Sequence, residues 1–149
     1  MSGDVSLYLD AKNSLYWLFP YSPTEKGLYI MGFPVKKVDI TTDYRSLMLE
    51  VLDLMQYCKE EVNYEKAREE LKTRFKRETG WTSVLALQKA SSAFIGVEVV
   101  ESKSIYYFSI YSTDIREKGM QVHSLSCPLT ATIDVLAETL KEAFEFYKK

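Results

Sequence analysis

The sequence predicts an α+β domain: a mostly antiparallel central sheet with amphipathic helices packed on it. Three observations lead there. Strand-period segments fill the first forty residues and return between Phe94 and Cys127. Helix-period segments are gathered between and after them, and segregated rather than alternating elements favour an antiparallel sheet. Finally, the stretch Gly80–Ser112, GWTSVLALQKASSAFIGVEVVESKSIYYFSIYS, reads as a short apolar helix running straight into a β-hairpin.

Taken in order, Val5, Leu7 and Leu9 alternate with Ser6, Tyr8 and Asp10, a half-buried strand. Ala11-Lys12-Asn13 turns it into a second strand with Leu15, Trp17 and Phe19, followed by a Pro/Gly loop from Pro20 to Gly27. Leu28–Phe33 reads as a third strand, extended or resumed by Val35–Ile40, where Lys36 and Lys37 mark a wet edge. Thr41-Thr42-Asp43 caps a helix whose apolar positions Tyr44, Leu47, Met48, Val51, Leu54, Met55 and Cys58 follow helical spacing. A second helix, Tyr64 to about Lys76, has only the narrow stripe Ala67, Leu71 and Phe75. Its wet face offers Lys66–Glu70 and Glu70–Arg74 pairs at i, i+4.

After Gly80 comes the short helix with Trp81, Val84, Leu85 and Gln88, then the hairpin. Ile95, Val97 and Val99 share one face of its first strand; Phe94, Gly96, Glu98 and Val100 share the other. Ile105–Tyr111 is apolar or aromatic on both faces, which predicts a strand covered on both sides at the sheet centre. Met120–Cys127 is a weaker strand in which Val122 and Leu125 break alternation, as a bulge would. Thr130 or Thr132 caps a closing helix with Ile133, Leu136, Leu140, Ala143, Phe144 and Tyr147 on one face and Lys148 and Lys149 at its end.

A chain of 149 residues fits a single domain, 1–149, burying roughly 68–70% of its unfolded surface. Hydrophobic content of 46% and charged content of 27% exclude the disordered and membrane classes. The start, MSGDVSLYLDAKN, has no basic segment and does not read as a secretory signal. Two cysteines, Cys58 and Cys127, suit a reducing cytoplasm better than a disulfide framework. The net charge of −2 has no regional asymmetry, since residues 41–80 carry nine acids against eight bases and residues 81–149 eight against seven. That balance disfavours nucleic acid as the main partner.

No constellation carries catalysis. His123 is the single histidine and sits in strand-like surroundings. With Cys58 and Cys127 it lacks metal-ligand spacing, so neither a metal nor a cofactor is expected. The six glycines form no phosphate loop. Lys72, Arg74, Lys76 and Arg77 crowd one helix end, as a phosphate patch or as cations complementing the helix dipole. Eleven tyrosines are the compositional oddity; core packing accounts for them first, an amphipathic protein-binding surface second. An enzyme would need titratable groups converging around His123, Cys127 or Glu98.

Gly80-Trp81-Thr82-Ser83, the hairpin Ile95-Val97-Val99 and Ile105–Tyr111, the loop glycine Gly119 and the closing helix Ile133–Tyr147 together resemble the immunity proteins of bacterial contact-dependent growth inhibition systems. The resemblance spans residues 40–149, with departures in the thin second helix and the weak strand at 120–127. It implies a protein without catalytic residues that binds and neutralises a cognate toxin C-terminal domain, commonly a nuclease, in the cytosol; a monomer or weak homodimer is expected. A basic nuclease cleft calls for carboxylates on the inhibitor. Two exposed acidic regions fit: Glu60, Glu61 and Glu65 between the first two helices, and Asp114 and Glu117 after the hairpin, with Tyr111 as an aromatic anchor. The alternative is a nucleic-acid-binding or small-ligand-binding module.

Overall fold

The computed structural model describes residues 3–117 and 119–148. Its strands are β1 (Gly3–Asp10), β2 (Leu15–Pro23), β3 (Tyr29–Met31), β4 (Lys36–Asp39), β5 (Ala93–Val100), β6 (Ile105–Tyr111) and β7 (Gln121–Pro128). Its helices are α1 (Tyr44–Met55), α2 (Tyr64–Thr79), α3 (Val84–Ala90) and α4 (Ile133–Glu145), the last continued as a 3-10 turn over Phe146–Lys148. The fold is α+β, as the segregated pattern predicts. Lys149 and Lys118 lie outside the described residues.

Polar caps set where each helix begins. Asp43, Asn63, Ser83 and Thr132 each accept from the backbone N–H three residues on, at 2.8, 3.0, 3.1 and 3.3 Å, each such cap contributing about 1 kcal/mol. Thr132 rather than Thr130 is the cap of α4, and Trp81 precedes α3 instead of joining it. Gly80 stops α2 at φ 81°, the left-handed conformation that favours glycine.

All seven strands join one antiparallel sheet in the order β3-β2-β1-β5-β6-β7, with β4 pairing β2 beside β3. The centre is therefore β1 and β5. The sequence places β6 there, but β6 lies second from the edge, between β5 and β7. The expected bulge occurs in β7: Ile110 pairs His123 while the next residue, Tyr111, pairs Gln121, so Val122 is the extra residue.

Alternation sorts the strands onto two unlike faces. One carries Val5, Leu7, Leu18, Ile95, Val97, Phe108 and Ile110, all fully buried against Leu47, Met48, Val51 and Leu54 of α1 and Leu136, Leu140 and Phe144 of α4. The other carries Tyr8, Trp17 and Phe19, buried with Phe75 of α2 and Leu87 of α3. Burial of about 2 kcal/mol per large apolar side chain makes both layers necessary to the fold. Among the described residues no helix is long and apolar enough to cross a membrane.

The second face is covered only in part, which corrects the expectation for β6. Tyr106, Phe108 and Ile110 point to α1 and α4, but Tyr107 and Tyr111 remain half-exposed on the other side. Ile110→Asp should therefore cost at least about 4 kcal/mol, since it strands an unpaired charge in the core. Tyr107→Asp should leave the fold intact. Urea denaturation of the two variants checks this; equal destabilisation would contradict the assigned faces.

Candidate functional site

Because α2 and α3 reach only the β1–β3 side of their face, the rest of that face is open. Period two brings Asp4 and Ser6 of β1, Gly96 and Glu98 of β5, Tyr107, Ser109 and Tyr111 of β6, and Tyr21 of β2 to it. Cross-strand register places Asp4 directly opposite both Tyr21 and Glu98, and Glu98 opposite Tyr107. Two carboxylates on adjacent strands thus share a row with two tyrosines.

Tyrosine rings roof the small residues of the next rows. Tyr8, Phe94 and Tyr111 stack in sequence, with centroids 4.4 and 4.5 Å apart and planes inclined by 21° and 28°. Tyr111 lies so close to Gly96 that an added Cβ would meet its ring at 3.3 Å. The Tyr8 and Tyr21 hydroxyls are 3.0 Å apart. Burial pushes Tyr8 up to about 12 and Tyr21 well above its ordinary value. Tyr107 is different: half-exposed, and hydrogen bonded with Ser124 and Gln121, it is held below the ordinary phenol value.

The carboxylates are the strained members. Burial, and then repulsion from Glu98, pushes Asp4 up to about 7. Burial also raises Glu98. No cation among the described residues offsets either shift. Below Asp4, the Cys58 thiol accepts from the Asp4 N–H and lies 3.3 Å from the Asp4 carbonyl it donates to. Asp4, Glu98, Tyr21, Tyr29, Cys58 and Lys59 line a cavity of about 70 Å³ at this corner.

The acids expected from sequence occupy two other places. Glu60 and Glu61 are exposed in the α1–α2 connection. That connection is tied to the end of β2 by Lys59 N–H donating to Ser22 Oγ at 2.9 Å and Val62 N–H to the Pro23 carbonyl at 2.9 Å. It leaves from the rim of the Asp4 cavity, because Cys58 and Lys59 line it. Glu65, in the first turn of α2, pairs with Lys26 at 3.2 Å across exposed surface, a contact worth little. Asp114 is not a free carboxylate: Arg116 grips it at 2.7 Å and holds it at about 2, well below the usual range. Glu117 accepts from Ser112 Oγ at 2.5 Å. Tyr111 is a packed member of the aromatic stack, and its carbonyl lies 2.6 Å from the Tyr147 hydroxyl.

The groups an enzyme would need do not converge. His123 and Cys127 sit opposite Ile110 and Tyr106 and so lie on the α1/α4 side, whereas Glu98 is on the other. His123 stacks on Phe146 at 5.3 Å and the Cys127 thiol meets Thr139 Oγ1 at 2.8 Å. Among the described residues no three His, Cys, Asp or Glu side chains are grouped to hold a metal. Of the basic cluster, Arg74 is paired with Glu70 at 3.7 Å and Glu78 at 3.0 Å and lies 4.4 Å over the Phe33 ring.

Sequence reasoning missed the Asp4–Glu98 pair because ninety-three intervening residues separate two acids that only tertiary register unites. Its one local signal was an acid in each of two otherwise well-patterned strands. The upward shift of Asp4 has a consequence for stability. The folded state holds a proton that the unfolded chain releases near pH 4, so stability is full below that and falls as pH rises towards 7. Asp4→Asn should remove this loss, matching the wild type near pH 4 and exceeding it near pH 8 by at most about 4 kcal/mol. Denaturant titrations at both pH values check it; parallel pH profiles would show that Asp4 titrates normally.

Neither a family model nor a curated protein sequence matches the chain. Solved structures match its fold. A protein of unknown function from Neisseria meningitidis superposes over 96% of this chain and 93% of its own length, with a TM-score of 0.71 at 14% identity. A chain of the CdiA-CT/CdiI toxin and immunity complex from Yersinia pseudotuberculosis superposes over 97% of both chains, with a TM-score of 0.64 at 10% identity. This chain therefore shares its fold, over nearly its whole length, with a component of a toxin and immunity complex.

Proposed function

We propose that the protein is an immunity protein of a contact-dependent growth inhibition system. In this reading it binds and neutralises the C-terminal domain of a cognate toxin, a nuclease, in the cytosol. The observation that carries the reading is the end-to-end likeness to a chain of the CdiA-CT/CdiI toxin and immunity complex. The sequence resemblance over residues 40–149 supports it independently, because it lies in the Gly80–Ser112 pattern rather than in overall shape. A binding role also agrees with His123, Cys127 and Glu98 lying on opposite sides of the sheet. Of the four bases behind the nucleic-acid alternative, Arg74 is occupied by Glu70, Glu78 and Phe33.

The test is protection. A toxin C-terminal domain is expected to be encoded beside this gene; it should arrest growth when expressed alone in the cytosol and should not when co-expressed with this chain. Continued arrest, with no complex on co-purification, would overturn the proposal.

Of the two sequence-derived acidic regions, the α1–α2 connection is the better candidate for contact. Glu60 and Glu61 are exposed, and neither is in an ion pair among the described residues, whereas Asp114 is already neutralised by Arg116. Glu60→Ala/Glu61→Ala should slow association severalfold at low ionic strength and leave dissociation nearly unchanged, as rim charges do. Asp114→Ala/Glu117→Ala should change the rate less. Stopped-flow association at two salt concentrations separates them, and equal rates for both doubles and the wild type would exclude both regions.

A further inference from the structure

The corner cavity between β1, β5 and the α1–α2 connection combines three properties. Two carboxylates, Asp4 and Glu98, face each other across paired strands. Two aromatic rings, Tyr21 and Tyr29, line the same space, and Tyr29 is 57% exposed at its mouth. The volume, about 70 Å³, holds about two water molecules or one cationic head group of similar size. Carboxylates give a cation charge-assisted hydrogen bonds and aromatic rings give it cation–π attraction; among the described residues Lys59 is the one basic residue of the lining, set against two acids.

We propose that this cavity is the receptor for a single lysine or arginine side chain presented by the protein partner, so that the Asp4–Glu98 pair is the anchor point of the complex. This rests on the immunity reading for the partner's identity. An inserted ammonium or guanidinium relieves the repulsion between the two carboxylates and replaces part of the hydration they have lost. The adjoining Glu60 and Glu61 then act at the rim, drawing a basic surface in.

The surroundings make the site pH-dependent. Asp4 is faced by Glu98 from β5, Tyr21 from β2, Tyr29 from β3, Tyr8 on its own strand, Tyr111 from β6, and Cys58 and Lys59 from the connection, while Tyr107 of β6 faces Glu98. The phenols that are buried titrate far above neutrality, and burial raises the Cys58 thiol as well. Asp4, pushed up to about 7, changes charge across neutrality beside a Glu98 that burial also raises. Partner affinity should therefore rise as pH increases through about 7 and Asp4 ionises.

The test uses the full chain, Asp4→Asn/Glu98→Gln and two probes. Calorimetry with the adjacent toxin domain should show the wild type binding at least tenfold more tightly than the double variant near pH 8, a difference of about 1.4 kcal/mol. It should also show wild-type affinity weakening towards pH 6 while that of the variant stays constant. Independently, N-acetyl-arginine-amide at millimolar concentration should shift the amide resonances of Asp4, Glu98 and Tyr107 in the wild type and not in the variant. Wild-type affinity in the double variant, or arginine-amide shifts that are missing or fall elsewhere, overturns the proposal. A toxin that fails to bind while arginine amide still titrates the pair overturns the immunity reading and upholds the cation receptor. Removing two half-buried charges is expected to stabilise the fold, so loss of binding will not stem from unfolding.

Discussion

The structure depends on the double pairing of β1. Residues Asp4–Asp10 pair with β2 and Gly3–Leu9 with β5, so this strand joins the N-terminal meander to a hairpin some ninety residues away. Val5, Leu7 and Tyr8 are fully buried, on both faces at once. Closing so long a loop costs entropy before any contact repays it, and only a strand that buries both faces offsets that cost. Register then follows without freedom. A slip of one residue would turn Leu7 out of the α1/α4 core and bring Ser6 in. With Leu7 fixed opposite Ile95, Asp4 falls opposite Glu98. The unfavourable carboxylate pair is a consequence of the most favourable packing in the molecule.

Coverage of the sheet is a matter of width. Six strands abreast, at about 4.8 Å each, span nearly 30 Å, while two helices side by side cover about 20 Å. On one face α1 and α4 lie together over the central strands and α4 extends towards β6 and β7, where Leu125 and Cys127 complete the layer. On the other, α2 packs mainly by β3 and the seven-residue α3 by β1, so among the described residues neither helix covers β6 as α4 does on the opposite face. Tyrosines take over there. A ring lying close over Gly96, as that of Tyr111 does, shields backbone as a helix would while keeping a polar hydroxyl. The high tyrosine content reflects both roles weighed from sequence: Tyr8 and Tyr16 are core, Tyr107 and Tyr111 an amphipathic surface.

What could be read from the chain was whatever local periodicity encodes. The stripe Leu47, Met48, Val51, Leu54 and Met55 marks α1 because each residue's spacing reports its own burial. The same holds for α4 and for the two strands of the hairpin. The placement of β6 at the centre failed because an aromatic-rich strand looks two-sided in sequence whether its second face meets a helix or only its own tyrosines. The site was least legible of all. Glu60, Glu61, Glu65, Asp114 and Glu117 stood out because loop acids are visible locally, but pairing with Lys26 and Arg116 is not. Asp4 and Glu98 were hidden inside well-formed strands, and only non-local register unites them.

Natural surfaces seldom hold two carboxylates in a half-buried row without a cation, because each desolvated charge costs stability. At Asp4 and Glu98 a Ser or Thr would pair as well across the strands and avoid the repulsion. Cost that folding does not require is most simply offset in a second state, the one in which a cation is present. The same logic separates the acids of this protein. Asp114 is satisfied within its own loop by Arg116 and has little to gain from a partner. Asp4 and Glu98 gain the most, since the buried row that raises their proton affinity also strengthens attraction to any base that reaches it. A partner's lysine or arginine would therefore bind most strongly where the isolated protein is least comfortable, and Glu60 and Glu61 follow directly on Lys59, which lines that corner.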